Sequence, residues 1–326
     1  MSQHEQQSLP QAQIYRAQAA WVSFLAAEIL GSQVEFLTSQ QRYQFTDHQL
    51  LRFQEQNPWR TLPGQPTEDG ELVLLLGRML QFYRSYHAEH ALHAYQYWLQ
   101  TDPFAASTAI SHALKVQPEE RDFCATALAR VMPIACLGVH VSASEVAAWA
   151  MADTALTQPA ALCQQASALY AMMLAKAIAT GADAETLYQD LQQWAVELNV
   201  EYALHKVIEQ ALFMPPADFT TPIKPVLCAF HNAVWQMLYA KSVEDAISET
   251  IRQGGDTGTN AAVAAALVAA LQGMPDSGDV WLSAFTECKP QEGVTGVEQP
   301  RPQALWPQDV MLLAEQLITC ISRDEV

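Results

Sequence analysis

The stretch "SVEDAISETIRQGGDTGTNAAVAAALVAALQG", residues 242–273, reads as two helices joined by a glycine turn. Ser242 is placed to cap the first helix, Glu244 and Asp245 complement its first turn, and Val243, Ile247 and Ile251 share one face. Gly254 and Gly255 end it. The second helix restarts at once, and its small alanines permit close approach to neighbouring helices. Asp256, Thr257 and Thr259 lie between the two. A polar loop in that position either holds a cation or phosphate or, more ordinarily, has Thr257 or Thr259 cap the next helix. A phosphate loop is not expected, because no lysine follows and Asp256 would face the phosphate. Gly258, in the middle of the candidate ligands, brings no side-chain donor.

Helical periodicity extends outward from this pair over nearly the whole chain, and period-two alternation is almost absent. "YRAQAAWVSFLAAEIL" (15–30) reads as a buried first helix stopped at Gly31. "ELVLLLGRMLQFYRSY" (71–86) is apolar nearly all round, which places it in the core. "HAEHALHAYQYWL" (87–99), "STAISHALK" (107–115), "RDFCATALARVMPIACLGV" (121–139) and "ASEVAAWAMADTAL" (143–156) continue the pattern. So do "AALCQQASALYAMMLAKAIA" (160–179, ending before Gly181), "DAETLYQDLQQWAVEL" (183–198) and "KPVLCAFHNAVWQMLYA" (224–240). Residues 287–308, rich in Pro, Gly and Gln, read as a loop before a last helix, "DVMLLAEQLITCI" (309–321). The expectation is an all-α chain without internal repeats: a mobile N-terminal tail over 1–13, then one helical domain over 14–326.

Composition narrows the function. The 326 residues are 50% hydrophobic, enough for a sizeable core. Lys and Arg number 17 against 35 Asp and Glu, a formal net charge of −18. No basic stripe exists to release counterions, so nucleic acid and anionic membrane are excluded as partners; a basic protein or a hard metal ion suits this balance. No apolar run is long enough to span a bilayer. The polar start "MSQHEQQSLPQAQ" lacks the order of a signal peptide, and six scattered cysteines without a CxxC pair fit a reducing compartment. A cytoplasmic protein is expected.

Two further clusters bear on chemistry. In "PTEDGE" (66–71), Thr67 is placed to cap the core helix, with Glu68, Asp69 and Glu71 in its first turn. Single carboxylates there complement the helix dipole by about 0.3–1 kcal/mol. Three of them repel one another at a buried helix start unless solvated or shared with a cation. His87, His90 and His93 in "HAEHALH" each turn about 60° from the last around a helix, so they read as structural or exposed histidines and not as a zinc site. No nucleophile elbow, zinc-protease motif or dinucleotide loop is present.

Taken together, "GGDTGTNAAVAAALVAALQG", "TEDGELVLLL" and "AAEILGSQVEF" resemble the ADP-ribosylglycohydrolase family, the dinitrogenase reductase-activating glycohydrolases among them. The family's late hallmark is GGDTDTNAA and its early one TDDT at the start of a core helix; "ARVMPIACLGV" falls in order between them. The resemblance, over residues 14–320, implies an orthogonal all-α bundle with a cleft for two Mg2+ or Mn2+ ions, and hydrolysis of the bond joining ADP-ribose to a protein side chain or related acceptor. It sets Thr67, Glu68 and Asp69 on the early metal-ligand positions and Asp256 and Thr259 on the late ones. Glu35 falls against an acidic residue of the family's catalytic face.

The departures point away from catalysis. Two ions within about 4 Å need several carboxylates to offset their repulsion. Glu68 stands where the family has aspartate, and its longer arm suits poorly the Mg2+–oxygen distance of about 2.0–2.1 Å. Gly258 replaces the second aspartate of the late motif and Gly70 a hydroxyl residue of the early one. "DPFAASTAI" and "CATALAR" replace family segments resembling DIGNTT and an NGS turn, which supply donors to ADP-ribose. The remaining ligands leave room for one Mg2+ or Mn2+ ion on Thr67, Asp69 and Asp256, with Glu71 or Glu28 as replacement carboxylate, and speak against two. The expected function is binding without hydrolysis, in one version an immunity-type protein against an ADP-ribosyltransferase. The alternative is an active Mg- or Mn-dependent ADP-ribosylglycohydrolase acting on ADP-ribosylated protein.

Overall fold

The computed structural model describes residues 9–104 and 106–320, and among these the regular elements are all helices, with no strand. The helix Thr257–Gln272 is the axis of the molecule: every residue from Thr257 to Ala270 is buried. Its alanines offer no bulk on any side, so the first helix, Leu9–Ser32, lies close against it. Helices Pro225–Tyr239 and Val243–Gln253 pack on its other flanks. Ala161–Thr180, likewise buried along nearly its whole length, donates the Tyr170 hydroxyl to the Val263 carbonyl at 3.0 Å. The last helix, Val310–Thr319, returns onto the first and onto Glu68–Tyr83. One continuous core runs from Ile14 to Ile318.

Gly31 does not stop the first helix, which continues to Ser32. A Cβ on Gly31 would sit 2.4 Å from the Thr257 carbonyl, so the glycine is there for the closeness of the crossing. That helix begins at Leu9, inside the expected tail; residues 1–8 of the tail lie outside the described residues. The stretch 121–139 is not one helix: Thr126–Arg130 and Met132–Leu137 are separate, and Pro133, which lacks an amide hydrogen, opens the second. Ala161–Thr180 ends as expected, with Gly181 in the left-handed region at φ 65°. Four helices were not anticipated. Ser39–Arg42 and Asp47–Leu50 each start with a reciprocal capping box, on Thr38 with Gln41 and on Thr46 with Gln49. The others are Tyr202–Gln210 and Gly278–Glu287.

All six cysteines are unpaired. No helix among the described residues is long and apolar enough to cross a membrane.

Candidate functional site

Three chain segments meet at a cavity of about 440 Å3. The end of helix Leu9–Ser32 brings Glu28 and Ser32, and the turn after it brings Glu35. The start of helix Glu68–Tyr83 brings Thr67, Glu68 and Asp69, and the start of Thr257–Gln272 brings Asp256, Gly258 and Thr259. Two helix N-termini, with their positive dipole ends, thus meet at one acidic pocket. Trp59, Phe104, Ser107 and Thr126 complete the wall. All five expected ligand positions, Glu35 and Gly258 therefore share one cavity, although 190 residues separate Asp69 from its partner Thr259.

The carboxylates are engaged by the protein itself. Glu28 accepts the Thr67 amide at 3.1 Å on both oxygens, and the Thr67 hydroxyl as well. Thr67 thus occupies the N-cap position of its helix without capping it. Glu68 accepts the Ser107 amide, the Ser107 hydroxyl at 3.1 Å and the Thr126 hydroxyl at 3.1 Å. Asp256, and not Thr257 or Thr259, caps the following helix by accepting the Thr259 amide at 3.2 Å. The Thr257 hydroxyl instead donates to the Gly31 carbonyl at 2.8 Å. Asp69 Oδ2 accepts the Thr259 hydroxyl at 2.6 Å, while Asp69 Oδ1 is buried and has no partner.

Burial raises the ionisation of the whole group. It is the main cause for Glu28, pushed up to about 8, and for Glu35, at about 7, where the charge of Asp256 adds to it. Glu68 also stands at about 7; Asp69 is lifted well above the carboxylate range by burial and then by Glu68 and Asp256. Asp256 is raised by burial. Burial and the neighbouring carboxylates act in the same direction here, since each disfavours the ionised form.

The two-ion Mg2+ or Mn2+ centre implied by the resemblance does not fit these donors as they stand. Among the described residues no three His, Cys, Asp or Glu side chains are arranged to hold one ion. Glu68 faces its hydroxyl and amide donors, and Asp69 Oδ1 is the one buried carboxylate oxygen of the pocket without a partner. Glu71 is not available as a replacement. It forms a buried ion pair with Arg301 at 2.7 Å, accepts the Trp98 indole N–H at 2.7 Å, and does not line the cavity. Gly258 sits close to the first helix: an added Cβ would lie 3.3 Å from the Glu28 carbonyl oxygen, a tight contact, and 3.6 Å from the Ser32 amide nitrogen. His87 and His90 stand outside the cavity, their ring centres 5.2 Å apart, with His90 stacked on Tyr83.

Sequence reading did not find Ser107, Trp59 or Phe104 as wall residues. Ser107 was legible only as the N-cap of Thr108–Lys115; its amide and hydroxyl also donate to Glu68, 39 residues earlier, a pairing no local spacing signals. Trp59 and Phe104 lie with ring centres 6.2 Å apart, and no spacing in the sequence links them.

A search of curated proteins finds no match. A solved structure described as an ADP-ribosylglycohydrolase-related protein complex shares the fold, with a TM-score of 0.73 at 20% identity. The match covers 94% of this chain and 98% of that one. The family model for ADP-ribosylglycohydrolase matches residues 9–319. With nearly the whole chain matched, and the early and late motifs brought to one cavity, the protein belongs to the ADP-ribosylglycohydrolase family.

Proposed function

We propose that this protein uses the ADP-ribosylglycohydrolase fold to bind and not to hydrolyse. The observation that carries this reading is the condition of Glu68: buried, held by three donors from Ser107 and Thr126, and sharing its cavity with Gly258, which brings no carboxylate. With Glu68 accepting three donors from the protein and Gly258 supplying no carboxylate, the pocket offers fewer free anionic ligands than two divalent ions require. The formal net charge of −18 supports a basic protein as partner; an ADP-ribosyltransferase held in an immunity-type complex is the version that family analogy supports. The cavity also remains a candidate ADP-ribose site, and a single Mg2+ or Mn2+ ion on Thr67, Asp69 and Asp256 is the most the ligand set supports.

The test is calorimetric titration of chelator-treated protein with Mg2+ and Mn2+, with and without ADP-ribose, beside an assay for ADP-ribose release from a modified protein. The expected result is no metal-dependent release. Gly258→Asp, which has room for its Cβ after a shift of a few tenths of an ångström, is expected to gain Mn2+ binding by at least tenfold. Metal-dependent ADP-ribose binding and release by the unmodified chain would overturn the reading.

A second reading, an active metal-dependent hydrolase, is favoured by the unpartnered Asp69 Oδ1 and by Glu35, whose carboxyl at about 7 is suited to proton transfer near neutral pH. It requires release that is lost in both Asp69→Ala and Asp256→Ala.

A further inference from the structure

A second recess, of about 300 Å3, lies where helices Pro225–Tyr239 and Val243–Gln253 meet the loop around Phe219, and it shares no residue with the acidic cavity. Asn232 and Gln236 line it, four residues apart and so on one helix face; they are 0% and 3% exposed. The Asn232 Nδ2 donates to the Thr250 hydroxyl at 3.0 Å and to the Asn260 carbonyl at 3.4 Å. A carbonyl can only accept, so this fixes which end of the amide is which. That leaves Asn232 Oδ1 buried with no donor, and beside it Gln236 Oε1 is also buried without one, its side-chain amide making no hydrogen bond among the described residues. Buried acceptors of this kind are ordinarily satisfied, so two in one recess ask for a ligand that brings N–H groups.

The rest of the wall gives that ligand its charge and shape. Tyr43 and Trp235 supply aromatic faces. Glu249, exposed at the recess, forms no ion pair among the described residues. Arg252, the cation in the lining, is already neutralised: its guanidinium pairs with Asp47 and donates to the Phe45 carbonyl at 3.0 Å. Two orphan acceptors, a free carboxylate and aromatic walls match a planar cation with several donors. A compact, strongly hydrated ammonium would lose more hydration and reach fewer acceptors.

We propose that this recess binds a guanidinium group, presented as an arginine side chain of a protein partner. The surroundings favour a protein over a free amino acid. Trp235 packs on Tyr239 with ring centres 4.3 Å apart, and the Tyr239 hydroxyl donates to the Leu212 carbonyl, next to exposed Phe213 and Met214. An apolar, aromatic rim around a polar pocket is the anatomy of a protein interface, and the excess of negative charge draws a basic partner.

The test is calorimetry on the full chain with three capped tripeptides, Gly-Arg-Gly, Gly-Lys-Gly and Gly-citrulline-Gly, and with free L-arginine. The arginine peptide is expected to bind saturably, the lysine peptide several-fold more weakly and the neutral citrulline peptide at least tenfold more weakly. Asn232→Leu would also disturb Thr250 and Asn260, so the variants are chosen elsewhere. Glu249→Gln and Trp235→Leu are each expected to weaken the arginine peptide several-fold. Gln236→Leu removes an acceptor with no partner; it is expected to abolish binding while leaving the melting temperature unchanged or higher. No saturable heat from the folded protein, equal affinity for citrulline, or unchanged binding in all three variants would overturn the proposal. Free arginine binding tenfold tighter than the peptide would overturn the assignment to a protein side chain. None of these outcomes depends on whether the acidic cavity holds metal or ADP-ribose.

Discussion

Glu28 sits near the end of its helix with its carboxyl against the Thr67 amide and hydroxyl, and burial still pushes it up to about 8. Those hydrogen bonds favour the charged form, so the desolvation they fail to offset is the larger effect. The consequence for stability has a definite sign. Glu28, Glu35 and Glu68 hold their protons in the folded state to about 7 or 8, whereas in the unfolded chain they release them near 4.5. Between those values the folded state binds more protons, so this contribution is complete below about pH 4.5 and is lost as pH rises through about 8. Each such group changes stability by at most about 1.4 kcal/mol per pH unit. Melting curves in chelator are expected to fall by several degrees between pH 6 and pH 8.5; a flat or rising trend would contradict the burial assigned here. The residues of this pocket were legible one at a time, because Asp69 and Asp256 stand in recognisable motifs. The grip of Ser107 and Thr126 on Glu68 was not, since neither lies near Glu68 in the chain.

Residues 289–302 are tied to helix Glu68–Tyr83 by one buried side chain, beside exposed contacts of Glu298 with Arg60 and of Gln299 with the Asp102 carbonyl. Arg301, 3% exposed, pairs with Glu71 through two nitrogens at 2.7 and 2.8 Å and donates to the Thr101 carbonyl at 2.7 Å. Its own carbonyl accepts the Trp306 indole N–H at 2.8 Å. Arg301→Ala would leave the Glu71 carboxylate buried beside Trp98 with its cation gone, at a cost of about 3–5 kcal/mol. Chemical denaturation is expected to show that loss, and limited proteolysis faster cleavage within 289–302; a change under about 1 kcal/mol would mean that solvent reaches Glu71. Composition marked this segment as a loop correctly. Nothing in its Pro, Gly and Gln content signalled that one arginine in it answers a glutamate 230 residues earlier.

For the molecule as a whole, 35 acidic against 17 basic residues make folding an act of charge concentration. Few of the surplus carboxylates are compensated: Arg60–Glu298, for example, is an exposed pair worth little. Added salt shortens the screening length to about 8 Å near 0.15 M and relieves the repulsion of the compact state. The melting temperature is therefore expected to rise by a few degrees from low salt to about 0.2 M NaCl, as calorimetric scans would show. No change would mean that the acids are spaced beyond effective repulsion.

The sequence by itself determined most of the longer helices, the boundaries at Ser242, Gly181 and Gly254, and the all-α class. Those features depend on neighbours within about four residues, where backbone hydrogen bonds and caps act. It also supplied the two motifs that place the chain in its family. Only the tertiary structure decided that Gly31 permits a helix crossing and does not stop a helix, and that Glu71 belongs to Arg301. It decided, too, that the expected ligands share a cavity whose acids are paired with hydroxyls. These outcomes join residues 39 to 230 positions apart, and which buried polar group finds which partner is settled by packing, where no local rule of the chain reaches.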